Sequence, residues 1–160
     1  MKHEESVLQR QCVAWFRAQY PQYAMQLTHI PNEGNGNRVS GAIRKAEGVV
    51  RGVPDLMLLM PSFYKDGKRS GCVCHGLGIE MKTTRGKQSQ EQKDFQVMLN
   101  AAWYEYKLVR SLDEFRDVVN DYVDRMSYCW RTAIAAAHVE IEEARREREL
   151  AKFNKMIGKK

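Results

Sequence analysis

Apolar positions along the chain follow two periods, and the switches between them outline the elements. Val7, Leu8, Cys12, Trp15 and Phe16 recur at three- and four-residue steps, predicting a helix over Glu4 to Tyr20 that ends before Pro21. YAMQLTHIP then predicts a strand that breaks into the loop NEGNGNR, rich in residues tolerant of positive φ. The G-N-G of that loop lacks the strand-turn-helix setting of a dinucleotide fingerprint. Val39 to Glu47 predicts a short helix ending at Gly48. VRGVPDLMLLMP opens on a Gly-Val-Pro turn and continues as Asp55 and five apolar residues, a strand buried on both faces and stopped by Pro61.

Residues Ser62 to Gly76 predict a polar connection around DGKRSG. In GLGIEMK the period shortens to two: Leu77, Ile79 and Met81 alternate with Gly78, Glu80 and Lys82. That predicts a strand with one buried face and with Glu80 and Lys82 side by side on the other. Ser89 followed by Gln92, and Ser111 followed by Glu114, are two S-x-x-E/Q capping boxes at predicted helix starts. Phe95, Met98, Leu99 and Ala102 mark the apolar face of the first helix, and Leu112, Phe115, Val118, Val119 and Tyr122 that of the second. Tyr104 to Arg110 is the strand between them. The order α-β-(short α)-β-β-α-β-α predicts an α/β (α+β) fold, a mixed central sheet with helices packed on it.

From Arg125 to Lys160 the pattern changes to an alanine-rich helix laced with both charge signs and a basic tail. This predicts a solvated, protruding extension (125–160) after a domain spanning 1–124. No apolar run is long enough for a bilayer, and MKHEESVLQRQ does not have a signal peptide's basic and then apolar order, so the expectation is a soluble, cytoplasmic protein without membrane contact.

Composition adds a partner class. A net charge of +6 and a pI of about 9.2 suit a polyanion such as nucleic acid. The placement is more telling than the sum, because Arg38, Arg44, Lys45, Arg51, Arg85, Lys87 and Lys93 flank the two segments carrying Asp55 and Glu80. Cys72, Cys74 and His75 are spaced more tightly than a zinc knuckle and have no matching pair elsewhere, so reduced thiols are the better reading.

Asp55 opens one buried strand and Glu80 lies near the end of the next, so neighbouring strands could bring two carboxylates together. Such a pair repels unless a cation sits between. Hard oxygen donors favour Mg²⁺ or Mn²⁺, which can polarise a phosphoryl oxygen and lower the pKa of bound water. Lys82 would stand beside such a centre, placed to orient water or to stabilise charge growing on phosphorus. From the residues alone, a plain surface Glu–Lys pair with Asp55 capping a turn stays open.

PD-x(24)-E-M-K resembles the PD-(D/E)XK nucleases. E-x-x-x-Q (Glu5, Gln9), IPN (Ile30 to Asn32), EGVVRGVPDLMLLMP (Glu47 to Pro61), HGLGIEMK (His75 to Lys82) and GKQSQEQ (Gly86 to Gln92) are similar, in order and spacing, to the compact stand-alone virus-type replication-repair nucleases, VRR-NUC. The resemblance runs from about residue 4 to 120. It implies a restriction-endonuclease-like core and metal-dependent hydrolysis of DNA phosphodiesters, with homodimers acting on branched DNA such as four-way junctions. It also implies that Asp55, Glu80 and the carbonyl of Met81 ligate Mg²⁺ or Mn²⁺, that Lys82 acts on the water, and that Glu5 completes the acidic cluster. Gln92, Gln9, Asn32 and His29 are supporting or near-site candidates, and Arg51, Arg85, Lys87, Arg38, Arg44 and Lys45 are candidates for DNA contact. Two rivals remain: a nuclease-fold DNA-binding module without catalysis, and a scaffold protein whose basic character is incidental. The resemblance assigns no role to residues 125–160 or to Cys72 and Cys74.

Overall fold

A computed structural model describes residues 2–31, 42–43 and 45–157. Helix α1 (Lys2–Gln19) buries Cys12 and Phe16 completely, with Leu8, Val13 and Trp15 packed around them. This is the stripe its three- and four-residue spacing predicts, except that Val7 stays exposed.

The strand expected over YAMQLTHIP is shorter than its composition suggests. Pro21–Gln26 forms a 3-10 turn, and only Leu27–His29 is strand β1. Pro21 fixes its own φ and offers no N–H to a ladder. The Tyr23 N–H donates locally to the Tyr20 carbonyl at 2.9 Å, and the two rings stack.

Strands β2 (Leu56–Leu58), β5 (Leu77–Met81) and β6 (Glu105–Val109) complete a four-stranded sheet in the order β1-β2-β5-β6. β1–β2 and β2–β5 are antiparallel and β5–β6 is parallel, so the sheet is mixed and flanked by helices as expected. β2 is buried throughout, although it stops before Leu59, which is half exposed.

Other expectations also need correction. Ser62 to Gly76 is not merely a polar connection. β3 (Ser62–Phe63) and β4 (Val73–Cys74) pair as a two-stranded hairpin, with Tyr64 and Cys74 turned into the core. The apolar residues at its two ends fold back on each other, and DGKRSG supplies the turn. Cys72 is an exposed free thiol and Cys74 a buried one.

Another correction concerns β5, which is buried on both faces rather than one. Leu77, Ile79 and Met81 enter the main core. Helix α2 (Gln90–Ala101) covers the opposite face, where Leu99 comes over Gly78.

Helix α3 (Leu112–Asp124) buries Phe115, Val119, Tyr122 and Val123, and Tyr122 Oη donates to the Met60 carbonyl at 2.7 Å. Its first turn also differs from expectation. Ser111 Oγ accepts from Glu114 N–H at 3.1 Å, but Glu114 reaches past the cap to the Arg110 N–H at 2.7 Å, so the box is not reciprocal. The Ser89 box at α2 is reciprocal.

Helix α4 (Tyr128–Ile157) leaves the core gradually. Trp130 stacks on Phe63 at 5.3 Å and Ile134 packs against the core, whereas Val139, Leu150, Phe153 and Met156 are exposed. Arg125, just before α4, forms a two-pronged pair with Glu105 (2.6 and 3.1 Å) and a further bond to Asp121 at 3.1 Å. Among the described residues, no helix is long and apolar enough to cross a membrane.

Candidate active site

The β2–β5 register pairs Leu56 with Ile79, and continuing it by one residue sets Asp55 opposite Glu80. Asp55 sits at the strand mouth because Gly-Val-Pro turns the chain there. Gly52 has φ +84°, and a Cβ on it would stand 2.2 Å from the Glu91 carbonyl oxygen, so this turn lies directly on the first turn of α2. One contact thus fixes the Asp55 turn and the start of the helix that carries Gln92.

Asp55 is half-buried, and its Oδ2 accepts the Met81 N–H at 2.8 Å. Burial raises its pKa, and the Met81 N–H and the Lys82 charge oppose that rise. Glu80 is 1% exposed. Burial, then the Asp55 charge, lifts its carboxyl to about 7, and the ammonium of Lys82 counteracts both. Three side chains donate to it: Lys82 Nζ to Oε1 at 2.5 Å, Gln92 Nε2 to Oε1, and Tyr106 Oη to Oε2 at 3.4 Å. Lys82 is itself buried, at 8% exposure. A plain surface ion pair is therefore excluded, since both partners are withdrawn from water at the open end of a strand.

Gln92 serves two neighbours. Its carbonyl oxygen accepts the Ser89 N–H at 2.9 Å, completing the capping box, and its amide nitrogen holds Glu80. Glu5 arrives from α1, half-buried, and its Oε1 accepts the Thr83 N–H at 3.1 Å. Its charge is near enough to raise Asp55. His29, exposed at the end of β1, has Nδ1 2.8 Å from the Asp55 carbonyl and 2.8 Å from the Gln9 amide. The Asp55 carbonyl only accepts and the Gln9 amide nitrogen only donates, so which of the two partners Nδ1 bonds depends on the ring tautomer.

Arg51, Arg85 and Lys87 are exposed on the turns beside Asp55 and Lys82, and Lys45 and Lys93 are exposed as well. Asn32, Arg38 and Arg44 lie outside the described residues. Sequence reasoning did not find Tyr106, Thr83, Gly52 or Arg110. Tyr106 could have been found from the parallel pairing of β5 with β6, which periodicity alone does not supply.

The donor set fits a hard divalent cation. Asp55 and Glu80 offer only oxygen, one carboxylate is fully buried, and the Asp55 charge raises the pKa of Glu80. Among the described residues, no three His, Cys, Asp or Glu side chains converge in metal-binding geometry. The fit therefore rests on this pair, with Glu5 engaged by Thr83.

No family model matches the sequence, and no curated protein does. A solved structure described as a "VRR_NUC domain protein" superposes with a TM-score of 0.63 at 22% identity, covering 77% of this chain and 90% of that one. By that superposition the chain has the fold of a VRR_NUC domain.

Proposed function

We propose that this protein is a Mg²⁺- or Mn²⁺-dependent DNA endonuclease that hydrolyses phosphodiester bonds. The observation that carries the reading is the grouping of half-buried Asp55 with buried Glu80 and Lys82 at one strand mouth, within a fold shared with a VRR_NUC domain. Asp55 and Glu80 would hold the cation, joined by the carbonyl of Met81. When bound, the ion supplies a Lewis acid that polarises the phosphoryl oxygen, lowers the pKa of bound water and steadies the leaving oxygen.

The chain's own groups do the rest. Lys82 is a desolvated cation beside Glu80, suited to orienting the attacking water and to offsetting charge that grows on phosphorus. Gln92 and Tyr106 hold the Glu80 carboxylate in one orientation. Glu5 closes the acidic side of the site. Arg51, Arg85 and Lys87, exposed on flanking turns, suit the DNA backbone. In-line attack by water, with the 3′ oxygen leaving, gives a 5′-phosphate and a 3′-hydroxyl. Branched DNA such as four-way junctions is the proposed substrate and a homodimer the proposed form, since two sites related by a twofold axis match a symmetric junction.

Labelled junctions, flaps and linear duplexes incubated with Mg²⁺, Mn²⁺ or EDTA test the proposal. Cleavage should require the divalent ion, and Glu80→Gln should still bind DNA without cutting it. DNA binding with no divalent-dependent cleavage under any condition would instead identify a nuclease-fold binding module.

A further inference from the structure

Arg110 links three parts of the site without being one of its acids. It lies between β6 and the Ser111 cap of α3, and its backbone N–H is pinned by Glu114 Oε2 at 2.7 Å. From there the guanidinium crosses to the loop after Lys82. One nitrogen, Nη1, donates to the Thr83 carbonyl at 2.6 Å and to the Gly86 carbonyl at 2.9 Å. These are the two ends of a turn that closes on itself through Gly86 N–H to the Thr83 carbonyl at 3.0 Å.

The turn is also packed against the site. A Cβ on Gly86 would lie 3.0 Å from Thr83 Oγ1 and 3.3 Å from Lys82 Cδ, so the turn folds closely on the lysine stem. On its other side the Thr83 N–H holds Glu5 at 3.1 Å. Arg110, Lys82, Thr83 and Glu5 line one open cavity of about 310 Å³.

We propose that Arg110 is a positioning residue for this centre. It ties both ends of the Thr83–Gly86 turn, fixing the N–H that holds Glu5 and the stem of Lys82, and setting the angle at which Arg85 meets a nucleic-acid backbone. A charged donor suits the task, because hydrogen bonds from an ionised group are about twice as strong as neutral ones. The active-site part of the proposal rests on the nuclease reading, whereas the tie to the turn does not.

Arg110→Ala and Arg110→Lys in the full chain test it, with thermal melts to establish folding. Arg110→Gln replaces the alanine variant if that variant does not fold. Hydrogen–deuterium exchange over residues 83–86 should accelerate at least about tenfold in Arg110→Ala, as expected when a local tie is lost, and partly recover in Arg110→Lys. Single-turnover cleavage should fall roughly 10- to 100-fold, the usual cost of a misplaced group. Added to Glu5→Gln, Arg110→Ala should cost less than it does alone, because part of its effect runs through Glu5. Unchanged exchange over 83–86 overturns the proposal, as does an alanine variant that cuts at the wild-type rate. Accelerated exchange in Arg110→Ala, where the wild-type protein itself cuts no DNA, overturns the nuclease reading and supports the tie.

Discussion

Gln92 donates its side-chain amide to Glu80 while its carbonyl oxygen caps the helix it belongs to. A helix-start signal and a candidate-site contact thus share one side chain. Two substitutions separate the roles. Gln92→Ala should lose both, lowering stability by about 1 kcal/mol and cleavage roughly 10- to 100-fold. Gln92→Glu retains an acceptor for the Ser89 N–H but sets a carboxylate against Glu80. Its melting temperature should stay near wild type while cleavage drops as in the alanine variant. Thermal melts beside cleavage rates check both.

The raised pKa of Glu80 makes stability depend on pH in a definite direction. An unfolded glutamate titrates near 4.5, and Glu80 in the fold near 7. The fold therefore prefers the protonated group. That preference is fully present below pH 4.5 and is lost as pH rises through about 7. The full displacement corresponds to about 3 kcal/mol. Without divalent ions, urea midpoints should fall between pH 5 and pH 8, and Glu80→Gln should flatten much of the fall. Asp55, whose pKa is also raised by burial, acts in the same sense, so the difference between variant and wild type is the quantity to read.

Gly52 and Gly48 both adopt positive φ, at +84° and +91°, yet they should respond differently to alanine. A Cβ at Gly52 collides with the backbone of Glu91, whereas at Gly48 it meets open space. Gly48→Ala should cost about 1 kcal/mol of backbone strain. Gly52→Ala should cost several times that, and should reduce cleavage even where the fold survives, because the Asp55 turn and α2 are forced apart. Chemical denaturation of the pair measures the contrast.

Arg125 offers a control at the other end of the sheet. Its pairing with Glu105 is buried, and removing one member leaves a desolvated charge. Arg125→Ala should therefore lose about 3 kcal/mol or more, with unchanged cleavage per folded molecule. Glu105 begins β6, whereas Glu80 stands near the end of the parallel β5, so the two sites do not touch.

Several of these relationships were legible in the sequence. Two-residue alternation placed Glu80 beside Lys82, and Pro-Asp before a fully apolar run placed a carboxylate at the mouth of the next strand. The Ser89–Gln92 spacing located the start of α2. Burial on the second face of β5 was not legible, because it depends on α2 folding back over Gly78 and Glu80, a tertiary event with no local signal. The β3–β4 hairpin was hidden for a similar reason, its two short strands being separated by a polar turn that dominates the composition. Glu114 fitted a reciprocal box by spacing, yet its carboxylate takes the Arg110 N–H instead.

The hydrogen bond from Thr83 to Glu5 spans 78 positions of chain, against 26 for the bond between Met81 and Asp55. Loops of that length close late, because chain entropy opposes them until nearer contacts have formed. A molecule still folding would assemble Asp55, Glu80 and Lys82 before α1 brings in Glu5. If Glu5 completes the catalytic set, competence to cut arrives with the last closure, and the unfinished chain poses no threat to the DNA around it.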